Sequence, residues 1–501
     1  MLIIGDAAIT KQIDEYSINN TGIPGIVLME NAAIKILKYL DLGKDKSFII
    51  IGGKGNNGGD AFAVARHLIS VGEKVELFLI GGEKGMSNDC LINYNILKNL
   101  DVNINLIDNI KDIENLRNSI KKSDIVVEGI FGTGLTRKIE GVYNDVISII
   151  NENSNYTVSI DVPSGLECNN GEILGNCIMA QRTISLMTYK KGFLNYNTEK
   201  YTGEIIVENI SIPYNSIKKV IKNEFIMDEQ YIRKNLKIRN KYGHKGNYGR
   251  VLIVAGSKGF TGAAYLSTEA AVRSGAGLVT LSTHEDIVNI LSSKVNETMI
   301  ECIENKHQFY KLLEGSDSIG IGPGLRNNDN TLEVLKEVIT KSNCPIVIDA
   351  DAINCLENNL DLIKEKTVPI ILTPHPGEMS RLTGISIKDI NKKRVDIAKD
   401  FAKETGVIVL LKGYNTVITD GDTTLINPTG NSAMASGGMG DSLTGIITSF
   451  LAQGYKPLEA ASIGVFLHGY CGDKLSENMY SVNARELINN FPYVMKKFQD
   501  N

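Results

Sequence analysis

No two of the seven cysteines form a CxxC pair, and their number is odd. That argues against a disulfide framework or a zinc site and for reduced thiols, most of them small core residues. Excess positive charge is also missing: 53 Lys and Arg stand scattered against 58 Asp and Glu, for a net charge of -5. The electrostatic footprint of a nucleic-acid binder is therefore absent, and a phosphate ligand would have to be held by local geometry. The opening MLIIGDAAITKQIDEY lacks a basic stretch followed by an apolar run, and no uncharged apolar segment approaches membrane-spanning length. The expectation is a cytoplasmic protein with no membrane partner. No repeat relates the two halves, and there is no low-complexity segment beyond local Asn and Lys richness.

What is present is enough apolar material, 43% of 501 residues, for more than one core, so two or more domains are expected. In the first half, helical periodicity over 6–19 and 24–40 precedes short apolar runs such as SFIIIGG, KVELFLIGG, NINLI, SDIVVEGIF and YTVSIDV. Helical stretches near 53–69, 89–99 and 113–121 alternate with them. Strands alternating with helices imply parallel βαβ units, with ligands at the carboxyl ends of the strands. Three loops fall at such ends: 53–60 (GKGNNGGD), 132–138 (GTGLTRK) and 161–165 (DVPSG). Their side chains Asn56, Asn57, Asp161 and Ser164, with nearby Glu128, offer oxygens suited to a hard cation, while the glycine amides suit a phosphate.

From about residue 211 the alternation lapses into a lysine-rich passage, then a stretch that reads as helical, NEFIMDEQYIRKNL. A boundary is expected within 215–225. A second α/β series follows, including RVLIVAG, SIGIGPG, PIVIDADA, PIILTPHPG and VIVLLKG, and a hairpin NTVITD/TTLIN turning at Gly421 and Asp422. The segment 431–445, NSAMASGGMGDSLTG, places Asp441 behind Gly437, Gly438 and Gly440 at the start of a helical pattern. Such a turn brings bare amides and the positive end of a helix to an anion. A GGxGD alone is also what a glycine-rich helix cap looks like; its neighbours tip the reading to a phosphate site.

Those neighbours carry a resemblance. GIPGIVLMENAA (22–33), GKGNNGGDAFAVAR (53–66), FGTGL (131–135), DVPSG (161–165) and TYKKG (188–192) resemble the NAD(P)H-hydrate epimerase domain. The run from Gly249 to Val279, GIGPGL, DADA, LTPHPGEMSRL, LLKGYNTVI and ASGGMGDSLTGII resemble the ADP- or ATP-dependent NAD(P)H-hydrate dehydratases, of ribokinase-like fold. Together the halves are similar to the bifunctional NAD(P)H-hydrate repair enzymes of bacteria. The resemblance implies a Rossmann-like three-layer epimerase domain over 1–217 and a ribokinase-like α/β dehydratase domain over 218–501, an isomerase joined to a lyase.

It implies the chemistry as well. Reduced nicotinamide cofactors add water at ring position 6, giving R and S hydrates of NADH and NADPH. One half interconverts them; the other dehydrates the S form with a nucleotide, ADP giving AMP and phosphate, or ATP, with Mg2+. By the resemblance Asp441 and Asp161 are the catalytic residues, Asp441 accepting the 6-hydroxyl proton and Asp161 moving the proton of epimerisation. Lys190 is a possible helper, its plain alternative being a surface lysine. The hydrate lies against Asn56, Asn57, Gly58, Gly59 and Asp60, then Gly132, Thr133, Gly134, Leu135, Thr136, Arg137 and Lys138, and Asp161. By the same resemblance a potassium ion is expected among Asn57, Glu128 and Ser164, although the family commonly has Asp where this chain has Glu128, and often Gly where it has Ala61. In the second half Ala263, Gly324, His375, Pro376, Gly377, Glu378, Met379, Ser380, Arg381 and Asp441 line the hydrate. Lys412, Gly413, Tyr414, Asn415, Thr416, Asn431, Gly437, Gly438, Met439 and Gly440 line the nucleotide. Without the motif, His375 reads as an ordinary loop histidine and Lys412 as an exposed strand-end lysine. Arg137 and Arg381 could meet a 2′-phosphate or face solvent. A homo-oligomer is expected from the family. The alternative is a ribokinase-like small-molecule kinase fused to a non-catalytic nucleotide-binding module.

Overall fold

A computed structural model describes residues 1–43, 46–364 and 366–499. Contacts divide the chain into two compact units, Leu2–Glu224 and Phe225–Asn501 together with Met1.

The strands of the first unit are β1 (Leu2–Gly5), β2 (Ser47–Gly52), β3 (Lys74–Ile80), β4 (Ile104–Ile107), β5 (Ile125–Gly129), β6 (Thr157–Ile160), β7 (Arg182–Leu186), β8 (Tyr189–Lys190) and β9 (Glu204–Glu208). Seven of them form a sheet in the order β4-β3-β2-β5-β6-β7-β9, every pair parallel. β1 and β8 pair in parallel. Apolar runs such as SFIIIG bury both faces, as a parallel sheet with helices on each side requires. Phe48 and Ile50 enter one core with Phe62, Val64 and Leu77, while Ile49 and Ile51 enter the opposite core with Phe78, Ile147 and Ile150. The chain builds outward from β2 to β4, then returns to β5 on the other side of β2. Ligand crevices form at such a reversal, outside the carboxyl ends of the strands.

The second unit holds β10 (Glu224–Ile226), β11 (Arg250–Val254), β12 (Leu278–Thr283), β13 (Met299–Cys302), β14 (Ser318–Ile321), β15 (Ile346–Ile348), β16 (Ile370–Leu372), β17 (Ile408–Leu411), β18 (Thr416–Thr419) and β19 (Thr424–Asn427). Their order is β13-β12-β11-β14-β15-β16-β17-β18-β19-β10. The pairs from β13 to β17 are parallel; β17-β18 and β18-β19 are antiparallel, the latter being the expected hairpin. Helix Met439–Ala452 is buried along almost its whole length, with Ser318 Oγ donating to Thr448 O at 2.7 Å.

The segment 223–236 corrects the helical expectation. It forms β10 and then a shorter helix, Glu229–Asn235. Met227 N donates to Ile426 O at 3.0 Å, so the sheet edge claims the first residues. Asp228 accepts from Tyr231 N at 2.8 Å and starts the helix there. Helix Val142–Asn153 and strands β1, β7 and β9 have no counterpart in the sequence reading.

Candidate active sites

In the first unit a cavity of about 1170 Å³ opens at the strand ends. Its walls include Asn56, Asn57 and Asp60 from the loop and helix after β2, Gly132 to Arg137 after β5, and Asp161 after β6. The three loops picked out in the sequence therefore converge. Gly58, Gly59 and Lys138 are not in the lining: a Cβ on Gly58 would collide with the Gly53 carbonyl oxygen, Gly59 packs on Met29 and Cys90, and Lys138 is exposed. Asn57 Nδ2 donates to Phe131 O at 2.9 Å and Ile160 O at 3.1 Å, stapling the first loop to the other two.

Behind this wall Glu128 is fully buried. Its carboxylate accepts from Ser159 Oγ at 2.5 Å, Ser164 Oγ at 2.6 Å, Ser164 N at 3.0 Å and Ile130 N at 3.2 Å. Burial still holds its carboxyl above the ordinary range, against the pull of those bonds. Asp161 has a left-handed φ of 64°, unusual for a residue with a side chain. Its Oδ1 accepts from Leu186 N at 3.0 Å and pairs with Lys190 Nζ at 2.6 Å. Lys190 is 0% exposed and also donates to Leu186 O at 2.8 Å and Thr188 O at 3.3 Å. The surface alternative for Lys190 is thus excluded. Burial, then the negative charge of Asp161, pushes Asp14 up to about 6; Asp60 is held well above the usual carboxylate range by burial, Asp161 and Asp14. Asp14, on helix Ala7–Asn19, lines the cavity and was not found from the sequence. No local sequence pattern points to it, because the fold decides which stripe of that helix meets the cavity.

In the second unit the site is built on the N-terminus of helix Met439–Ala452. Gly438 takes a left-handed φ of 90°, which lets the chain enter the helix with its first amides uncovered. Asp441 lies in the first turn. Burial, then the charge of Asp349, raises it to about 6, against the opposing charge of Lys412. Beneath the loop Asp349, 1% exposed, accepts from Thr373 Oγ1, Lys412 Nζ and Thr444 Oγ1, each at 2.7 Å. Burial alone would raise Asp349, but Lys412 and the hydrogen bonds outweigh it and its carboxyl stays low; Lys412 stays high against its own burial because Asp349 and Glu378 face it. A Cβ built on Gly440 would lie 3.5 Å from Lys412 Nζ and 3.8 Å from Asp349 Oδ2, so the ion pair sits directly under the glycine turn. Lys412 is thus no exposed strand-end lysine. Sequence reasoning quoted DADA as a motif but gave Asp349 no role.

His375 caps helix Pro376–Thr383: its Nδ1 accepts from Gly377 N at 2.9 Å and Glu378 N at 3.3 Å, and Glu378 Oε2 accepts from His375 N at 2.7 Å. Burial, then Lys412 and Arg381, lowers the imidazole, while burial raises Glu378 to about 7. Arg381 Nε donates to Asn354 Oδ1 at 3.0 Å. Pro376, Gly377, Met379 and Ser380 are carried on the same helix. Ala263 and Gly324 meet, a Cβ on Gly324 falling 3.0 Å from Ala263 Cβ. Thr416 Oγ1 donates to Gly413 O at 2.8 Å, closing the turn through the exposed Tyr414 and the left-handed Asn415. Asn431 is exposed and bound to Asp473 Oδ1 at 2.7 Å and Ser476 Oγ at 2.9 Å, while Gly437 has open space around it.

Comparison with known proteins follows the same division. A family model described as NAD(P)H-hydrate dehydratase matches residues 251–493, and one described as YjeF-related protein N-terminus matches 25–192. The bifunctional NAD(P)H-hydrate repair enzyme Nnr of Moorella thermoacetica is 36% identical, covering 99% of this chain and 97% of its own. The enzyme of that name from Thermofilum pendens is 32% identical, covering 98% and 95%. Among solved structures, the ADP/ATP-dependent NAD(P)H-hydrate dehydratase from Bacillus subtilis, co-crystallised with ATP/Mg2+, is 34% identical with a TM-score of 0.51, covering 55% of this chain and 99% of that one.

Proposed function

The chain belongs to the family of bifunctional NAD(P)H-hydrate repair enzymes, and from that premise we propose how its two units divide the work. The chain is an epimerase joined to a dehydratase: the first half interconverts R and S hydrates of NAD(P)H, and the second restores NAD(P)H from the S form at the expense of a nucleotide. The residue assignments, and ADP as the donor giving AMP and phosphate, are our reading.

The strongest support for the dehydratase assignment is the placement of Asp441 at the uncovered helix N-terminus, over the Asp349–Lys412 pair. Hydroxide is a poor leaving group and phosphate a good one. Asp441 takes the 6-hydroxyl proton as the oxygen attacks the terminal phosphorus of the nucleotide, and the diphosphate bond breaks. The amides of residues 438–440, the helix end and Lys412 stabilise the charge on the transferred group; one such preorganised donor contributes about 3 kcal/mol. The ring nitrogen then pushes phosphate out, the neighbouring carbon gives up a proton, and the ring double bond returns. No cluster of three or more His, Cys, Asp or Glu among the described residues is arranged as a metal cage. Magnesium, commonly held by one or two carboxylates and substrate phosphates, fits as a companion of the nucleotide beside Asp441.

In the first unit Asp161 moves the proton of epimerisation, with Lys190 fixing its carboxylate. The potassium ion that the family resemblance brings fits the buried Glu128, which has no ion-pair partner among the described residues. Glu128, Ser164 and Asn57 would hold it, and its charge would offset that of the buried carboxylate. A cytoplasmic setting, in keeping with seven free cysteines, and a homo-oligomer complete the reading.

The test is an assay of the purified chain with S hydrate and ADP or ATP, following reduced nicotinamide absorbance and the nucleotide product. Return of NADH with release of AMP and phosphate from ADP is expected. A stable phosphorylated alcohol without returning absorbance would replace the dehydratase with a small-molecule kinase.

A further inference from the structure

Asp14 stands on the cavity wall with no part in the scheme above. On helix Ala7–Asn19 the residues Ala7, Thr10, Lys11, Asp14 and Ile18, three and four apart, line the cavity. The Asp14 carboxyl has no hydrogen-bond or ion-pair partner among the described residues. Asp60, 8% exposed on the same cavity, likewise has none. Asp14 is partly and Asp60 almost fully withdrawn from solvent, and an acid so placed without a protein partner is costly unless a ligand or its own proton completes it. Asp161 is different, since Leu186 N and Lys190 Nζ fix its Oδ1. Separate structural elements thus bring one tethered carboxyl, Asp161, and two untethered ones, Asp14 and Asp60, to the same space.

Inverting a carbon that carries a hydroxyl beside a ring nitrogen needs two such groups. As the C–O bond breaks, the nitrogen lone pair forms the N=C bond, and the hydroxyl takes a proton to leave as water. Water then adds to the opposite face, a proton passes from it to a base, and the π pair returns to nitrogen. One acid and one base are required, and they exchange roles when the reaction runs backwards.

We propose that Asp14 is the second proton-transferring residue of the epimerase, paired with Asp161: one protonates the departing hydroxyl while the other receives the proton of the entering water. The proposal rests on the epimerase reading given above. Each inversion moves one proton between the two carboxyls, and cavity water returns it. Burial and Asp161 raise the Asp14 carboxyl to about 6, with Lys190 opposing and Glu15 adding to the shift, which suits a group that must hold and release a proton near neutrality.

The experiment uses the full chain with purified R hydrate. Asp14→Asn is expected to slow R-to-S interconversion by about 100-fold or more. Its melting temperature and its dehydration of S hydrate should match the wild type. Asp14→Ala should be equally slow, and formate, a small carboxylic acid able to occupy the vacated space, should restore much of the rate. An Asp14→Asn rate within threefold of wild type, or an Asp14→Ala loss that formate does not relieve, overturns the proposal. If Asp14→Asn melts early, formate rescue decides alone. A wild-type chain that fails to interconvert the hydrates would remove the epimerase reading itself, so the two failures are distinguishable.

Discussion

Asp441 must be ionised to accept a proton, and its carboxyl is raised to about 6. Lowering the pH through that value protonates it, so dehydration should fall about tenfold per unit below pH 6 and level off above it. A rate profile flat to pH 5 would count against Asp441 as the base. Asp441→Asn should cost at least about 100-fold in NADH return while leaving R-to-S interconversion intact. Lys190 poses a different test because it is sealed from water against Asp161. Replacing it with Met leaves a buried carboxylate without its counter-charge, a loss of about 3–5 kcal/mol that a denaturant titration would reveal. A surface lysine would give almost no change. The sequence offered both readings of Lys190, since neither its neighbours TYKKG nor the local charge states which way a side chain turns.

At the level of elements, glycines in similar loops have different duties. A Cβ on Gly58 would overlap the Gly53 carbonyl oxygen, whereas one on Gly437 would meet nothing within 4 Å. Gly58→Ala should therefore destabilise by about 1–3 kcal/mol and Gly437→Ala by much less, measured as shifts in urea midpoint. Long periodic segments were legible: the closing helices, expected over 440–453, 458–474 and 484–497, occupy Met439–Ala452, Pro457–Ser476 and Ala484–Gln499. The segment 223–236 was not, because its helical spacing competes with an open strand edge at β19 that only the assembled sheet supplies.

For the molecule as a whole, two activities in one chain determine how far a mixed hydrate preparation can be repaired. The wild type with nucleotide should return all of it as NADH. Asp161→Ala should halt near the S fraction, apart from slow spontaneous interconversion, and the end-point absorbance separates the cases. Complete repair by Asp161→Ala would leave that residue a structural role.

Sequence by itself determined the two α/β series, the order of the glycine-rich loops and the places of Asp161 and Asp441 in those loops, because strand-length apolar runs, helical spacing and glycine motifs are local in the chain. The tertiary structure decided which carboxyls share a cavity with Asp161, that Lys190 is buried against it, and that Asp349 holds Lys412 beneath Gly440. Those depend on burial and on partners as distant as Asp349 and Thr444, and no local pattern encodes either.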